Sequence, residues 1–280
     1  MRIAWATIMA LLFQCAVWAG EIETFRAYVD TDLCSRLLIG PITAKRIECT
    51  QKTTKDGADP VLVRLNNSLI FTVNKDKMLK PLISKLAEVS GETKAKAGTM
   101  KIQSIKEIDA ASIPADDPDR RLLDLNRQAK ANPETWEKVR HELAMMPYIT
   151  QFDFISFTLS DFNVILTGWT VRQTNRDDAS YAASKVRGVE TVVNNIEILP
   201  LGGFDMQIRS GVSVALQRNL SRYFWRSGSD IKIIVKNGQV ILLGTVASKT
   251  DSDIADIQAN SVRGVFKVFN LLRVQSTTKK

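Results

Sequence analysis

Between Asp161 and Ile198 the chain follows a pattern that returns between Asn237 and Val274. Val164-Ile165-Leu166-Thr167-Gly168 is answered by Val240-Ile241-Leu242-Leu243-Gly244, and Val186-Arg187-Gly188-Val189 by Val262-Arg263-Gly264-Val265. Both pairs stand 76 residues apart. Chance matches would not keep one register across two separated motifs, so the C-terminal half folds as two copies of one small unit.

Each copy reads helix, strand, strand, helix, strand. In the second, Ile231 to Val235 is a strand and Val240 to Val246 its return. Asn237-Gly238 between them is a two-residue hairpin turn, because both central positions need positive φ. Thr250-Asp251-Ser252-Asp253 opens the next helix, with Thr250 as cap and acid answering the dipole. Gly188 and Gly264 are natural stop positions for the second helices. The four repeated glycines are read as serving backbone geometry, not binding. Asp161-Phe162 replaces Asn-Gly in the first copy, so that hairpin needs another turn.

Upstream the pattern changes. Arg2 followed by the apolar run Ile3 to Phe13, with Val17-Trp18-Ala19 before Gly20, reads as a secretory signal over residues 1–19. Bulky residues at 12–14 argue against lipidation of Cys15. Cleavage would leave Cys34 and Cys49, an even pair for which a disulfide is the default in an oxidising compartment. Glu21 to Asp30 reads as a poorly ordered lead-in. Residues 30–110 carry mainly strand signals: a hairpin from Val61 to Val73, one helical turn at Asp76 to Leu79, and strands at Lys85 to Gly91 and Thr99 to Ile108. Four or five short strands with one short helix point to a small β-barrel of OB type. With Phe71 as the only aromatic of that stretch, it has no stacking set for nucleic acid. Residues 111–132 are linker, including a surface helix at Arg120 to Lys130. Asn132-Pro133-Glu134 then starts a helix on which Trp136, Val139, Leu143 and Met146 recur at helical spacing.

The tandem units resemble the BON domain of bacterial envelope proteins. The residues that carry the resemblance are the strand motifs ending at Gly168 and Gly244, and Val-Arg-Gly-Val followed by Val192-Val193-Asn194 and Val268-Phe269-Asn270. It spans Pro133 to Gln275. It implies an α+β architecture with two BON-like sandwiches over 133–200 and 204–275, export to the envelope, and binding to phospholipid or envelope components. It implies no catalysis and says nothing of the N-terminal half.

Enzyme signals are sparse. The sole histidine, His141, sits on a helix with no Cys or Ser motif nearby, and no phosphate loop or metal-ligand spacing appears. Neither cofactor, metal nor small-molecule substrate is expected. Charge is unevenly shared: Phe204 to Gln275 holds ten basic and five acidic residues, Glu134 to Leu199 six and nine. The sharpest binding candidate is the run Arg218 to Arg226. Arg218, Arg222 and Arg226 share a face if one helix runs through, beside Tyr223, Phe224 and Trp225. Basic and aromatic residues together suit an anionic phospholipid surface. Two other readings stay open: Phe224 and a neighbour close the core beneath solvated arginines, or the patch meets an envelope protein partner. The expected location is periplasmic or secreted, peripheral to a membrane if the basic face docks there.

Overall fold

The computed structural model describes residues 21–38, 40–73, 76–94, 98–123, 133–160, 162–225 and 229–275. The signal segment, the Arg120 to Lys130 helix (beyond residue 123), the Asn132 cap and Arg226 lie outside these residues.

The supposed lead-in is the longest strand of the molecule, β1 (Glu21–Thr31). Its alternation sends Phe25, Ala27 and Val29 inward to Leu62, Phe71, Val89 and Ile102, while Tyr28 packs outward on Val61 and Ile70. Acidic residues concealed this pattern. Glu23 shares the inward side with Phe25 but stands half-buried at the end of the ring, 2.7 Å from Arg64. β1 pairs antiparallel with both β2 (Pro60–Arg64) and β4 (Leu86–Lys94). With β3 (Ile70–Val73) and β5 (Thr99–Ile108) the strands close a ring in the order β1-β2-β3-β5-β4. The β3–β5 pairing is parallel. One helical turn, α3 (Asp76–Leu79), follows β3.

Two helices interrupt the region read as strands: α1 (Asp32–Leu37) and α2 (Ala44–Lys55). Thr31 and Thr43 cap them by accepting from the N–H groups of Cys34 and Arg46. The buried side of α2 is Arg46, Thr50 and Thr53, so no apolar period was there to read. These side chains join a hydrogen-bonded cluster instead. Arg46 Nε donates to Asp30 Oδ2 at 2.7 Å, Thr50 Oγ1 donates to Asp30 Oδ1 at 2.6 Å, and the Thr31 and Thr53 hydroxyls lie 2.8 Å apart. Cys34 and Cys49 are bonded across the two helices. The segment read as linker is a strap on the ring: Ile113 is buried on its outer layer, and Arg26 pairs with Asp117 and Asp119 at 2.8 Å each.

The two repeats have the same plan. The first has α4 (Pro133–Ala144) and α5 (Gln173–Ser184) on a sheet β6-β7-β8, formed by Phe154–Ser160, Asn163–Thr170 and Thr191–Ile198. The second has α6 (Phe204–Leu220) and α7 (Lys249–Asn260) on β9-β10-β11, formed by Ile231–Lys236, Gln239–Val246 and Lys267–Val274. Gly168 and Gly244 have φ of +123° and +122°. A Cβ on either would sit 1.9 Å from a carbonyl oxygen, that of Phe154 or Asp230. Both positions therefore demand glycine for conformation and space. The repeated asparagine has an equally concrete task. Asn194 and Asn270 donate to the second helix, at Arg176 O and Ser252 O, and accept from the N–H two residues on.

Three helix boundaries differ from the sequence reading. α7 is capped by Ser248, not Thr250: Asp251 N donates to Ser248 Oγ at 3.1 Å, and Ser248 Oγ donates back to Asp251 Oδ2 at 2.8 Å. α5 and α7 end at Ser184 and Asn260, a full turn before Gly188 and Gly264. Those glycines serve the turn into the last strand, with φ of +96° and +93°.

α1 wedges between the two sheets. Leu33 shares one core with Trp169, Leu199, Ile234, Ile241 and Phe269. At its border Arg36 donates to Asp32 at 2.7 Å and lies 3.0 Å from Glu197, while Lys236 reaches Asp32 at 2.9 Å and Glu197 at 2.8 Å. One buried charge network thus ties the N-terminal ring, the first repeat and the second. The repeats also touch directly, Ile233 N donating to Gln151 O at 2.7 Å.

Candidate functional site

The basic and aromatic run at the end of α6 does not form one continuous face. α6 stops at Leu220, and Ser221–Tyr223 tighten into a 3-10 turn. Arg218 and Arg222 are therefore not successive turns of one helix. Arg218 is exposed and, among the described residues, makes no ion pair. Arg222 is ion-paired with Asp251 and lies against the Tyr223 ring, 5.0 Å from its centre.

Tyr223 must be removed from the membrane-facing set. It is buried in the second repeat's core, and Phe224 packs beside it. Its hydroxyl donates to Asp251 Oδ2 at 2.8 Å and accepts from Ala247 N at 2.8 Å, bridging the turn to the start of α7. A ring already satisfied on both its apolar and polar sides has nothing left for a bilayer. Burial pushes the Asp251 pKa up. The hydrogen bonds from Ser248, Tyr223 and Arg222 outweigh it and hold that carboxyl below its ordinary value. Trp225, by contrast, is 81% exposed.

The positive charge of the second repeat is also spent largely within the molecule. Arg209 is buried against the Pro200 and Val235 carbonyls. Lys236 belongs to the network at α1, Lys232 donates to Thr150 O, Lys249 pairs with Asp253, and Lys267 pairs with Asp56. Among the described residues Arg218, Arg263 and Arg273 remain as exposed cations with neither an ion pair nor a carbonyl contact. A domain total of charge is therefore a poor guide to its surface.

The opposite end of the repeat holds a group that sequence reasoning missed. Phe204 is 72% exposed and Phe266 80%, with Leu201 and Met206 also in solvent. Both rings border the loop glycines. Phe204 lies 3.2 Å from where a Gly264 Cβ would stand, and Phe266 3.5 Å from that of Gly238. Phe266 N donates to Gly238 O at 2.8 Å, and the Asp205 carboxylate accepts from Asn237 N and Gly238 N at 2.8 Å each. The start of α6, the β9–β10 turn and the α7–β11 loop are thus held together, and the exposed Arg263 stands in that loop. In the first repeat the residue matching Phe266 is Glu190. That contrast was the available signal. With 17 residues in α6, this end lies about 25 Å from Trp225.

His141 is exposed on α4. Among the described residues no group of three or more His, Cys, Asp or Glu could hold a metal ion, and no helix is long and apolar enough to cross a membrane.

Comparison with known proteins agrees with the repeat plan. The BON domain family model matches residues 134–200 and 206–276. The 21 kDa hemolysin of Actinobacillus pleuropneumoniae is 26% identical over 137 residues, covering 49% of this chain and 70% of the hemolysin. The outer membrane lipoprotein DolP of Haemophilus influenzae is 29% identical over 111 residues, and the match spans 39% of this chain and 57% of DolP. A solved structure of CdsD, a structural protein of the type III secretion system of Chlamydia trachomatis, aligns over 51% of this chain and 92% of its own, at 10% identity and a TM-score of 0.21, a likeness too slight to carry an argument. The C-terminal half of this chain is a tandem pair of BON domains, and the protein belongs to the BON-domain family.

Proposed function

We propose that this is an exported, non-enzymatic envelope protein whose second BON domain docks on anionic phospholipid surfaces. The observation that carries the reading is the exposed cluster Leu201, Phe204, Met206 and Phe266 with Arg263 beside it. Large apolar side chains held on a rigid domain end can enter the acyl boundary while a guanidinium meets phosphate. This moves the docking end away from Arg218 and Trp225. The name of DolP, an outer membrane lipoprotein, supports the envelope setting. The N-terminal ring, which β1 extends back from the expected residue 30 to Glu21, is read as an OB-type domain, supported by its strand order and its parallel β3–β5 pair. Its part is to brace the BON pair. A signal peptide ending near Ala19 completes the proposal.

The test is co-sedimentation of the mature chain with vesicles of anionic or zwitterionic lipid, at low and high salt. Partial insertion of each ring contributes about 1.4 kcal/mol, so Phe204→Ser and Phe266→Ser each weaken binding roughly ten-fold. Arg218→Glu and Trp225→Ala change it little, since their end stands several Debye lengths away, each about 8 Å at physiological salt. The reverse pattern would move docking to the Trp225 end. A wild-type protein that ignores anionic vesicles at low salt ends the lipid reading and favours an envelope protein partner.

A further inference from the structure

Where the N-terminal ring meets the first BON domain there is a cleft of about 150 Å³ that the membrane reading does not use. Its rim is supplied by Asn66, Asn67 and Ser68 of the β2–β3 turn, and by Ser160, Asn163 and Thr191 at the near ends of β6, β7 and β8. Leu65, Ile165 and Val193 form its apolar walls. No charged side chain lines it among the described residues. That is unusual company in a chain with 24% charged residues.

The cleft is braced from behind. Asn195 Nδ2 donates to Ser68 O at 2.7 Å, and Ile70 N donates to Asn195 Oδ1 at 3.1 Å, so one buried amide fastens the β2–β3 turn to β8. Thr167 Oγ1 donates to Arg36 O at 2.8 Å and adds a second tie across the same boundary. The two walls therefore cannot drift apart independently. Several rim groups keep capacity to spare. Asn67 Oδ1 accepts from Leu69 N at 3.1 Å, leaving its Nδ2 free, and neither the Asn66 amide nor the Ser160 hydroxyl has a bond to another described residue. Thr191 donates to Asn163, whose Nδ2 remains available.

We propose that this cleft binds one residue of an uncharged saccharide. Amides and hydroxyls that both donate and accept match a ring of hydroxyl or N-acetyl groups. The aliphatic walls match the C–H faces of the same ring, and about 150 Å³ leaves room for no more than one sugar unit. An anionic ligand would find no cation there, and a charged peptide terminus no counter-charge.

The experiment is titration of the mature chain with N,N′-diacetylchitobiose, maltose and glucuronate, followed by backbone amide resonances. Saturable shifts confined to residues 65–70, 160–165 and 191–195 are expected for a neutral sugar, with a Kd on the order of 1 mM for so small a ligand. Glucuronate should bind no better. Asn66→Ala should weaken binding about five-fold by removing one hydrogen-bonding group. Ser160→Phe fills the cleft and should abolish the shifts, while thermal stability and vesicle binding stay as in the wild type. Absence of localised shifts at about ten times that concentration would overturn the proposal. So would shifts that survive Ser160→Phe, or tighter binding of glucuronate or of a neutral tetrapeptide than of either sugar.

Discussion

Asp32→Asn tests the charge network that joins all three units. Asp32 is 7% exposed and lies between Arg36 at 2.7 Å and Lys236 at 2.9 Å. Burial by itself would raise its pKa. The two cations outweigh burial and bring it down from 3.8 to about 2. A carboxyl whose folded pKa is depressed adds stability above its unfolded pKa and loses it as pH falls through the folded value. The difference amounts to about 2–3 kcal/mol at pH 7, of which about half remains at pH 3. Asparagine keeps the shape and removes the charge, so the variant should be less stable by that amount at pH 7 and by about half of it at pH 3. Urea unfolding followed by fluorescence suits the measurement, because Trp169 is fully buried with Arg36 5.7 Å above its ring. An equal loss at both pH values would refute the electrostatic account. A loss below about 0.5 kcal/mol at pH 7 would refute the network's role altogether.

Three other outcomes follow from the packing. Gly168→Ala and Gly244→Ala should each cost more than about 3 kcal/mol by thermal or urea denaturation, since the added Cβ meets backbone oxygen that cannot retreat. Tyr223→Phe should lower stability by about 1–2 kcal/mol through loss of two hydrogen bonds, with vesicle binding unchanged when folded protein is compared. Cys34→Ser with Cys49→Ser should cost roughly 3 kcal/mol in the chain-entropy account, and α1 should gain hydrogen-exchange rate before the BON sheets do.

The BON pair was legible because its information is local and repeated. Strand alternation, the Asn237-Gly238 turn and the 76-residue offset each point to the same elements. The N-terminal half was only partly so. The β2–β3 hairpin, the α3 turn, β4 and β5 stand where the sequence reading put them, whereas β1, α1 and α2 were missed. β1 interrupts its inward residues with polar ones, Glu23 at the end of the ring and Asp30 buried under α2. α2 buries threonines and an arginine, which only a partner such as Asp30 makes tolerable, and that partner lies 16 residues away.

The candidate site divided in the same way. Sequence pointed to Tyr223 and Trp225 as a pair, because neighbours in a chain share composition. The tertiary structure sent one ring into the core and the other into solvent, as a tyrosine hydroxyl could reach Asp251 and Ala247 across the fold. It also assembled Phe204 and Phe266, 62 residues apart, at one end, and drew Lys267, Lys236 and Arg222 into pairs with Asp56, Asp32, Glu197 and Asp251. By itself the sequence determined the repeat, its strands and the conformational role of Gly168 and Gly244, since these depend on periodicity and backbone conformation. Which aromatics face water, which charges remain unpaired, and that α1 locks three units together were decided only by tertiary structure, because each depends on groups far apart in the chain meeting in space.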